Sequence, residues 1–294
     1  MAERQDRLRG VLMMIAAVGI FSIMDALMKQ LTQHYPPLQV ACLRGASSLP
    51  LVFAVYAATG QLKLLRPRRW QLHVVRAVLA ILMLWGFVWA LARASLTDTY
   101  AVYMSAPLLV VLCASLLLGE RTNRHVWIAI FVGLAGVYVM LAPTTSGFAS
   151  FAGLAAFASA LAYAFVVVLV RLMSATETTA SMVFWFLLMV ALGAGALAAP
   201  GWVAIAVADW PWILGVGLAG WAGQHLITEA FRLAPASAVA PYEYMALVWG
   251  VGIDWFVWHT LPGARTLTGA AIVVAAGLYL LHREGRPRPS VTGP

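Results

Sequence analysis

The sequence predicts an all-α polytopic membrane protein with about ten transmembrane helices. Hydrophobic residues make up 63% of the 294 residues and charged residues only 10%, whereas soluble domains carry about 25% charged residues. The mean hydropathy is +0.87. Apolar stretches recur that let a helix cross a bilayer core, which takes about 20 residues. A β-barrel is excluded because Val126–Leu141 does not alternate between apolar and polar residues.

The chain divides into about ten apolar spans joined by short connections. In chain order they are Gly10–Leu31, Leu38–Ala58, Leu72–Ala92, Thr99–Leu118, Val126–Leu141, Phe151–Leu172, Thr179–Ala199, Pro211–Leu233, Ser237–Trp258 and Thr266–Leu281. The connections leave no room for a soluble domain.

Positive charges identify the predicted cytoplasmic side. One alternate set of loops and termini carries Arg4, Arg7, Arg9, Lys63, Arg66, Arg68, Arg69, Arg121, Arg124, Arg171, Arg232, Arg283, Arg286 and Arg288. The other set carries only Arg93 and Arg265. Because Lys and Arg are enriched in cytoplasmic loops, we expect both termini in the cytoplasm and an even number of spans. The tail, residues 285–294, is expected to be cytoplasmic and disordered.

The net charge of +8 follows from these loops, and this distribution argues against nucleic-acid binding. Cys42 and Cys113 both lie within predicted helices, so no disulfide framework is expected. The first apolar run is too long for a cleavable signal peptide, and we expect it to stay as a membrane helix.

Several short stretches recur in the same order in both halves of the chain. The matches pair Tyr103–Pro107 with Tyr242–Ala246, Gly136–Tyr138 with Gly277–Tyr279, and Lys29 with Arg171. The sequence therefore predicts two five-helix repeats, residues 1–145 and 146–284. Because five is odd, the two halves would enter the membrane from opposite sides. Inverted repeats of this kind are characteristic of secondary transporters with a site between the halves.

The motifs of both halves resemble one known family. In the first half they are Phe21-Ser22-x-x-Asp25-Ala26-x-x-Lys29, Pro37-x-Gln39 with Arg44, Leu117-Leu118-Gly119-Glu120-Arg121 and Gly133-x-x-Gly136. In the second half they are Ala238-x-x-Pro241-Tyr242-Glu243-Tyr244 and Gly277-x-Tyr279. In this order and spacing the chain resembles, over essentially its whole length, the EamA-type members of the drug/metabolite transporter superfamily.

This resemblance implies ten helices in two inverted repeats around a central cavity, with the fifth and tenth helices at the periphery. Family members move amino acids, nucleotide-linked or cationic metabolites, vitamins and drugs, usually by proton coupling or exchange. The most similar subgroup includes S-adenosylmethionine and riboflavin transporters and exporters of amino-acid-derived metallophores. The second half departs from the first where Trp258-His259 replaces Gly119-Glu120, so the two ends of the repeat need not work identically.

Polar and aromatic side chains within the spans make up a predicted central site. The candidates for substrate binding or coupling are Tyr103, Gln224, His225, Tyr242, Glu243, Tyr244, Trp85 and Trp89. Glu243 leads this set because an ionisable residue inside a membrane span is expensive and marks a functional site by default. Each candidate also has a structural alternative. Glu243 would form an ion pair with Arg76, His225 would be a hydrogen-bonded interior residue, and the aromatic rings would pack in the core without binding substrate.

A second charged cluster is predicted near the outer boundary. The candidate outer-gate residues are Asp25, Lys29, Arg44 and Asp254. Opposite charges at one depth predict a buried pair such as Asp25–Arg44, which is either a structural pin or a gate. We also hypothesise that the planar guanidinium of Arg44 anchors a carboxylate or phosphate of the substrate. Glu229 lies nearer the cytoplasmic surface and is expected to remain outside the site.

The motifs of metal-dependent and nucleotide-dependent enzymes are absent from the sequence. Gly215–Gly220 matches G-x-G-x-x-G, but it lies within an apolar span, where small residues let helices pack closely. Pro107 and Pro241 are expected to mark bends. We therefore expect no cofactor, no metal and no enzymatic activity.

The sequence thus predicts a secondary active transporter that exports a small polar or amphipathic metabolite, such as an amino acid or derivative, an S-adenosylmethionine-like cation or a vitamin. We expect alternating access with proton coupling in the bacterial inner membrane. The partners expected are the substrate and the lipid bilayer, for a monomer or homodimer. The alternatives are an uncoupled exchanger and, from a different class, an intramembrane enzyme using His225, Glu229 and Glu243.

Overall fold

The computed structural model describes residues 2–118, 124–141, 148–233 and 240–284. Its helices are Ala2–Leu31 (α1), Pro37–Ala58 (α2), Trp70–Leu91 (α3), Leu96–Tyr103 (α4), Ala106–Leu118 (α5), Arg124–Leu141 (α6), Phe148–Ser174 (α7), Thr179–Ala198 (α8), Trp210–Leu233 (α9), Met245–Trp258 (α10) and Ala264–Glu284 (α11). Short 3-10 turns cover Leu62–Leu65, Ala199–Gly201, Val207–Asp209 and Ala240–Tyr244. No strand occurs among these residues, and the all-α prediction is confirmed.

The predicted spans correspond to these helices, and many of them end at the same residue. The shared last residues are Leu31, Ala58, Leu118, Leu141, Leu233 and Trp258. Within the described ranges, five helical stretches are each long and apolar enough to cross a membrane: Leu8–Leu31, Pro37–Ala58, Trp70–Leu91, Phe151–Val170 and Thr179–Gly201. The chain is therefore a polytopic membrane protein. The predicted tail and the start of the predicted ninth span lie outside the described residues.

The fourth span is two helices, whereas the sequence predicted one. α4 ends at Tyr103 and α5 begins at Ala106. Between them the chain tightens, because the Ser105 amide and hydroxyl both donate to the Val102 carbonyl, at 3.1 and 2.8 Å. Pro107 has no N–H and could not continue the helix from α4, but it is tolerated in the first turn of α5.

The ninth span is interrupted at a comparable place. Ala240–Tyr244 forms a 3-10 turn, and α10 starts only at Met245. Pro241 lies within that turn and supplies no amide donor. The helix break at Pro107 agrees with the bend predicted there, whereas a bend at Pro241 stays a prediction because residues 234–239 lie outside the described ranges. Tyr103 precedes the break, and Tyr244 ends the 3-10 turn.

The helices pair in a pattern that is unchanged when the two halves are exchanged. α1 packs against α9 and α3 against α7, while α2 packs against α8 and α6 against α11. The α1–α9 pair joins the first span of the first half to the third span of the second half, and the α3–α7 pair is the reverse of it. The α2–α8 pair joins the two second spans, and the α6–α11 pair joins the two fifth spans. Two equivalent five-span halves would produce this pairing. The division into residues 1–145 and 146–284 stays a prediction.

Glycines let helices approach where a side chain would collide. A Cβ atom on Gly217 would lie 2.7 Å from the carbonyl oxygen of Ser47, and one on Gly277 would overlap the hydroxyl oxygen of Tyr244. The packing role predicted for the glycines of α9 is confirmed at Gly217, and Gly277 of α11 allows close packing in the same way.

At the predicted outer end, the α1–α2 connection is bonded to the α8–α9 connection. Asp209 Oδ2 accepts a hydrogen bond from the Tyr35 hydroxyl at 2.7 Å and lies 3.1 Å from His34 Nδ1. The Gln39 side chain exchanges two hydrogen bonds with the Val203 backbone, at 2.7 and 2.9 Å. We call these five residues the outer tie. The Tyr35 hydrogen bond, helped by His34 and opposed by burial, holds the pKa of Asp209 below its ordinary value.

At the predicted cytoplasmic end, a second carboxylate bonds the α2–α3 connection. Glu177 Oε1 accepts hydrogen bonds from the Arg68 and Arg69 amides at 2.7 and 2.6 Å. The Ser181 hydroxyl donates to Oε2 at 3.2 Å, and His73 Nε2 lies 3.6 Å from Oε1. Burial works to raise the pKa of Glu177, but these donors outweigh it and the pKa lies below its ordinary value. We call these five residues the inner tie.

Replacing Gly277 with alanine should destabilise the protein, because the new Cβ atom would overlap the Tyr244 hydroxyl. Overpacking of this kind costs about 1–3 kcal/mol, so we expect a lower midpoint of thermal unfolding in detergent. Gly252→Ala is the matched control, since a Cβ atom there meets no described heavy atom within 4 Å. Equal midpoints for the two variants would contradict the close contact.

The outer tie should make stability depend on pH. Because the folded-state pKa of Asp209 lies below its ordinary value of 3.8, the folded state binds fewer protons than the unfolded state. The stabilisation is fully present above the unfolded-state pKa and is lost as pH falls through the folded-state pKa. Asp209→Asn should therefore have a lower unfolding midpoint than the wild type at neutral pH.

The difference between these two midpoints should shrink at pH values below about 4, where the wild-type carboxyl also becomes protonated. Tyr35→Phe is the companion variant, because it removes the largest cause of the lowered pKa. A midpoint difference that stays constant from neutral to acid pH would refute this role for Asp209.

Candidate functional site

The short helix α4 is held at its first turn by Asp254 of α10. Asp254 Oδ1 accepts a hydrogen bond from the Leu96 amide at 3.1 Å, and Oδ2 accepts from the Thr97 amide and hydroxyl, both at 2.7 Å. The first amides of a helix have no partner within the helix, and a carboxylate there is favourable. Asp254 is thus a buried capping group of α4.

Lys29 and Asp98 hold the same end of α4. Lys29 Nζ donates to the Ala94 carbonyl at 2.5 Å and lies 4.9 Å from the centre of the Trp258 ring. Asp98, in the first turn of α4, accepts a hydrogen bond from the Thr266 hydroxyl of α11. Two of the predicted outer-gate residues, Lys29 and Asp254, therefore meet at the start of this helix.

Asp25 binds α4 one turn further along. The Tyr100 hydroxyl donates to Asp25 Oδ2 at 2.7 Å, and both residues are buried. The predicted Asp25–Arg44 pair is not formed as a direct contact, since no ion pair within 4.0 Å joins the two in the described chain. The two side chains still act on each other electrostatically. Asp25 therefore bonds to the Tyr100 hydroxyl and not to the Arg44 guanidinium.

Arg76 does not satisfy Glu243. Its Nη1 donates to the Met182 carbonyl of α8 at 2.8 Å, and its Cζ lies 4.8 Å from the centre of the Phe186 ring. This buried guanidinium therefore joins α3 to α8, and the structural alternative for Glu243 loses its proposed partner.

Tyr103, the last residue of α4, lies at the centre of a group of rings. Its ring centre is 5.0 Å from that of Phe87 and 5.8 Å from that of Tyr163. Glu243, in the 3-10 turn before α10, is half-buried. Its charge acts on Tyr103, Tyr163 and Tyr244. The two span breaks thus bring a carboxylate and three phenol groups together.

Trp85 and Trp89 lie on an exposed face of α3. Trp85 is 44% exposed and continues a stripe that includes Val78 and Leu82, both more than half exposed. Trp89 follows one turn later, with the Arg93 guanidinium carbon 3.9 Å from its ring centre. The structure places both rings toward the bundle surface, apart from the tyrosines around Glu243.

The three candidates of α9 and the 3-10 turn differ in position. His225 is exposed and continues the stripe formed by Leu214 and Leu218. Gln224 is half-buried, one turn beyond Gly220 on the same helix. Tyr242 is half-buried and packs against the largest apolar core cluster. As site residues, these three stay predictions.

Sequence reasoning missed Tyr163 of α7. The repeat alignment that matches Lys29 with Arg171 also matches Phe21 with Tyr163. This match of two aromatic residues could have identified Tyr163 from the sequence. Phe21 in turn lies 6.0 Å from the Arg44 guanidinium carbon, measured to its ring centre. The two aligned aromatic positions therefore flank the two charged groups of the site, Arg44 and Glu243.

This arrangement suits proton or cation binding. Burying a carboxylate costs free energy unless a proton or counter-charge compensates it, and aromatic faces attract cations by about 0.5–2 kcal/mol. Among the residues that the structure describes, no three His, Cys, Asp or Glu side chains gather as a metal site.

Comparisons with known proteins agree with this geometry. Residues 8–142 match the EamA-like transporter family. A pseudopaline exporter of Pseudomonas aeruginosa is 29% identical, over 92% of this chain and 95% of that protein. A riboflavin transporter of Vibrio cholerae is 26% identical, over 97% and 96% of the two chains. An S-adenosylmethionine uptake transporter of Rickettsia prowazekii is 26% identical, over 96% of each.

One solved crystal structure has a TM-score of 0.66 to this chain at 21% identity, covering 94% of this chain and 99% of that one. This similarity shows a shared fold. The relatives are named as transporters and match the chain over nearly its full length. The chain is therefore a multi-pass membrane transporter of small metabolites, not an enzyme. The EamA-like match over residues 8–142 and the names of the relatives support the drug/metabolite transporter superfamily as its family.

Proposed function

We propose that this transporter is secondary active and exports a small polar or amphipathic metabolite in exchange for protons, by alternating access. The proposed substrate is an amino acid or derivative, an S-adenosylmethionine-like cation or a vitamin. The pseudopaline, riboflavin and S-adenosylmethionine relatives support a metabolite of this kind. The proposed location is the bacterial inner membrane with both termini in the cytoplasm, which the positive charges of one set of loops support.

The observation that carries the proposal is the position of Glu243. This carboxylate lies in the 3-10 turn before α10, and its charge acts on the phenol groups of Tyr103, Tyr163 and Tyr244. Intramembrane carboxylates that face a protein interior or a wet cavity commonly mark proton relays and substrate paths. Arg76, the structural partner expected from the sequence, is bonded elsewhere.

Coupling follows from the charge of Glu243. A bare carboxylate makes it costly for the empty carrier to change its orientation within the bilayer. A proton removes that cost, and so does the cationic group of a substrate. Because both ligands use one carboxylate, they bind in alternation, and the carrier reorients with one or the other. The inward proton gradient then drives the metabolite outward.

The two span breaks provide a place for the movement. α4 and α10 are short, and each adjoins a turn in which the regular helical hydrogen bonds are interrupted. Non-helical backbone is tolerated at membrane depth where protein or cavity water satisfies it. Tilting at these turns would change access to Tyr103 and Glu243 while most of each span stays intact.

Purified protein in proteoliposomes should catalyse saturable flux of at least one solute from a panel of amino acids, riboflavin, S-adenosylmethionine and drug-like cations. A gradient of one pH unit should raise the concentration ratio by up to about tenfold for one-to-one exchange, since about 1.4 kcal/mol is a factor of ten. Saturable flux that ignores the gradient would identify an uncoupled exchanger. Chemical conversion of a solute would point to the enzyme alternative.

Glu243→Gln should remove the effect of the pH gradient on flux, because an amide takes up no proton at this position. Glu229→Gln is the matched control: Glu229 lies on α9, fourteen positions earlier in the sequence, and is expected to remain outside the site. The control should keep the wild-type dependence on the gradient. Full retention of that dependence in Glu243→Gln, at normal expression, would remove Glu243 from the coupling role.

A further inference from the structure

Arg44 is a buried charge whose guanidinium is incompletely bonded. The residue lies in α2 and is 6% exposed, and its Nε has no hydrogen-bond partner. A guanidinium remains charged in proteins, and an unpaired buried charge is strongly unfavourable. The nearest carboxylate that acts on it is Asp25, which already accepts the Tyr100 hydroxyl. Arg44 therefore retains bonding capacity that the described protein does not use.

Arg76 shows what a structural buried arginine looks like in the same molecule. It is 5% exposed and its Nε also lacks a partner, but its Nη1 donates to the Met182 carbonyl and its guanidinium carbon lies 4.8 Å from the Phe186 ring centre. Arg44 has only the more distant Phe21 ring, at 6.0 Å from its guanidinium carbon. The contrast makes Arg44 the better candidate for binding something other than the protein.

Tyr103 connects Arg44 to the proposed coupling site. The charges of Glu243, Asp25 and Arg44 all act on its phenol group. The positive group of Arg44 and the negative group of Glu243 therefore both lie within electrostatic range of one aromatic ring. The rings of Phe87 and Tyr163 pack around that ring at 5.0 and 5.8 Å.

We propose that the site selects dipolar solutes, with a carboxylate on Arg44 and a cationic group on Glu243 beside the Tyr103 and Tyr163 rings. The planar guanidinium fork matches a carboxylate with two parallel hydrogen bonds. The aromatic faces and the Glu243 carboxylate suit an ammonium or sulfonium group. This inference rests on the proposed transport through the Glu243 site and names its substrate class, an amino acid or a close derivative of one.

The two charged groups also explain why Asp25 acts on Arg44 through space without forming a direct ion pair with it. When a dipolar solute is bound, its carboxylate neutralises Arg44 directly. When the solute has left and Glu243 holds a proton, Asp25 still offsets the Arg44 charge through space. Arg44 therefore has a counter-charge both with and without the solute.

Calorimetric titration of the full-length protein in detergent tests this charge requirement. One set of probes is L-tryptophan, tryptamine and indole-3-propionate, which carry both charges, only the cation and only the anion. A second set is S-adenosylmethionine, its decarboxylated analogue, which lacks the carboxylate, and S-adenosylhomocysteine, which keeps the carboxylate and the ammonium group but lacks the sulfonium. For at least one set, we expect removal of the carboxylate to weaken binding to the wild type by about tenfold or more, the contribution of a charge-assisted bidentate pair.

Arg44→Gln should bring the affinity of the dipolar parent down to that of its decarboxylated analogue and leave the analogue's affinity unchanged. Arg44→Lys, which keeps the charge without the fork, should retain part of the preference and guards against a folding defect in the first variant. Arg76→Gln is the matched control, expected to lower the unfolding midpoint and keep the preference for a carboxylate.

Single-charge solutes that bind as well as the dipolar parents would overturn the proposal, as would failure of both dipolar parents to bind. So would an equal loss of affinity for all three members of a set in Arg44→Gln. Binding is measured without a pH gradient, so the charge preference can hold even if proton coupling fails. Conversely, proton-coupled flux of solutes with a single charge would contradict only this inference.

Discussion

The structure depends on a helix that stops within a predicted membrane span. Backbone groups within a bilayer core must be satisfied by the protein, and the break after Tyr103 leaves such groups without regular partners. Ser105 bonds back to Val102 at the break, and Asp254 caps the opposite end of α4. A helix of eight residues is too short to be stable by itself, so these contacts hold Tyr103 within electrostatic range of Glu243.

The buried charges of this protein therefore do two different kinds of work. Lys29 and Asp254 bond to the backbone at the start of α4. The Nε of Arg44, in contrast, has no hydrogen-bond partner in the described chain, and the charges of Arg44 and Glu243 both act on Tyr103. At each end of the bundle a further carboxylate ties a connection of one half to the other half, through the outer tie and the inner tie.

The sequence predicted the fold class and the ends of many helices because apolar length and loop charge are properties of continuous segments. It also predicted bends at Pro107 and Pro241, since proline removes a specific backbone donor. It did not reveal that Asp254 caps α4, because capping across two spans depends on which helices are neighbours. Hydropathy cannot distinguish an exposed ring from one that packs inside the bundle, so Trp85 was included among the candidates while Tyr163 was left out.

The central claim is that a metabolite and a proton compete for Glu243. Proton release on binding tests it most directly, measured with a pH-indicator dye in weakly buffered detergent solution, with the tightest-binding metabolite of the flux panel. The account predicts release of up to about one proton per metabolite bound by the wild type and none by Glu243→Gln. No release from the wild type, or equal release from the variant, would contradict it.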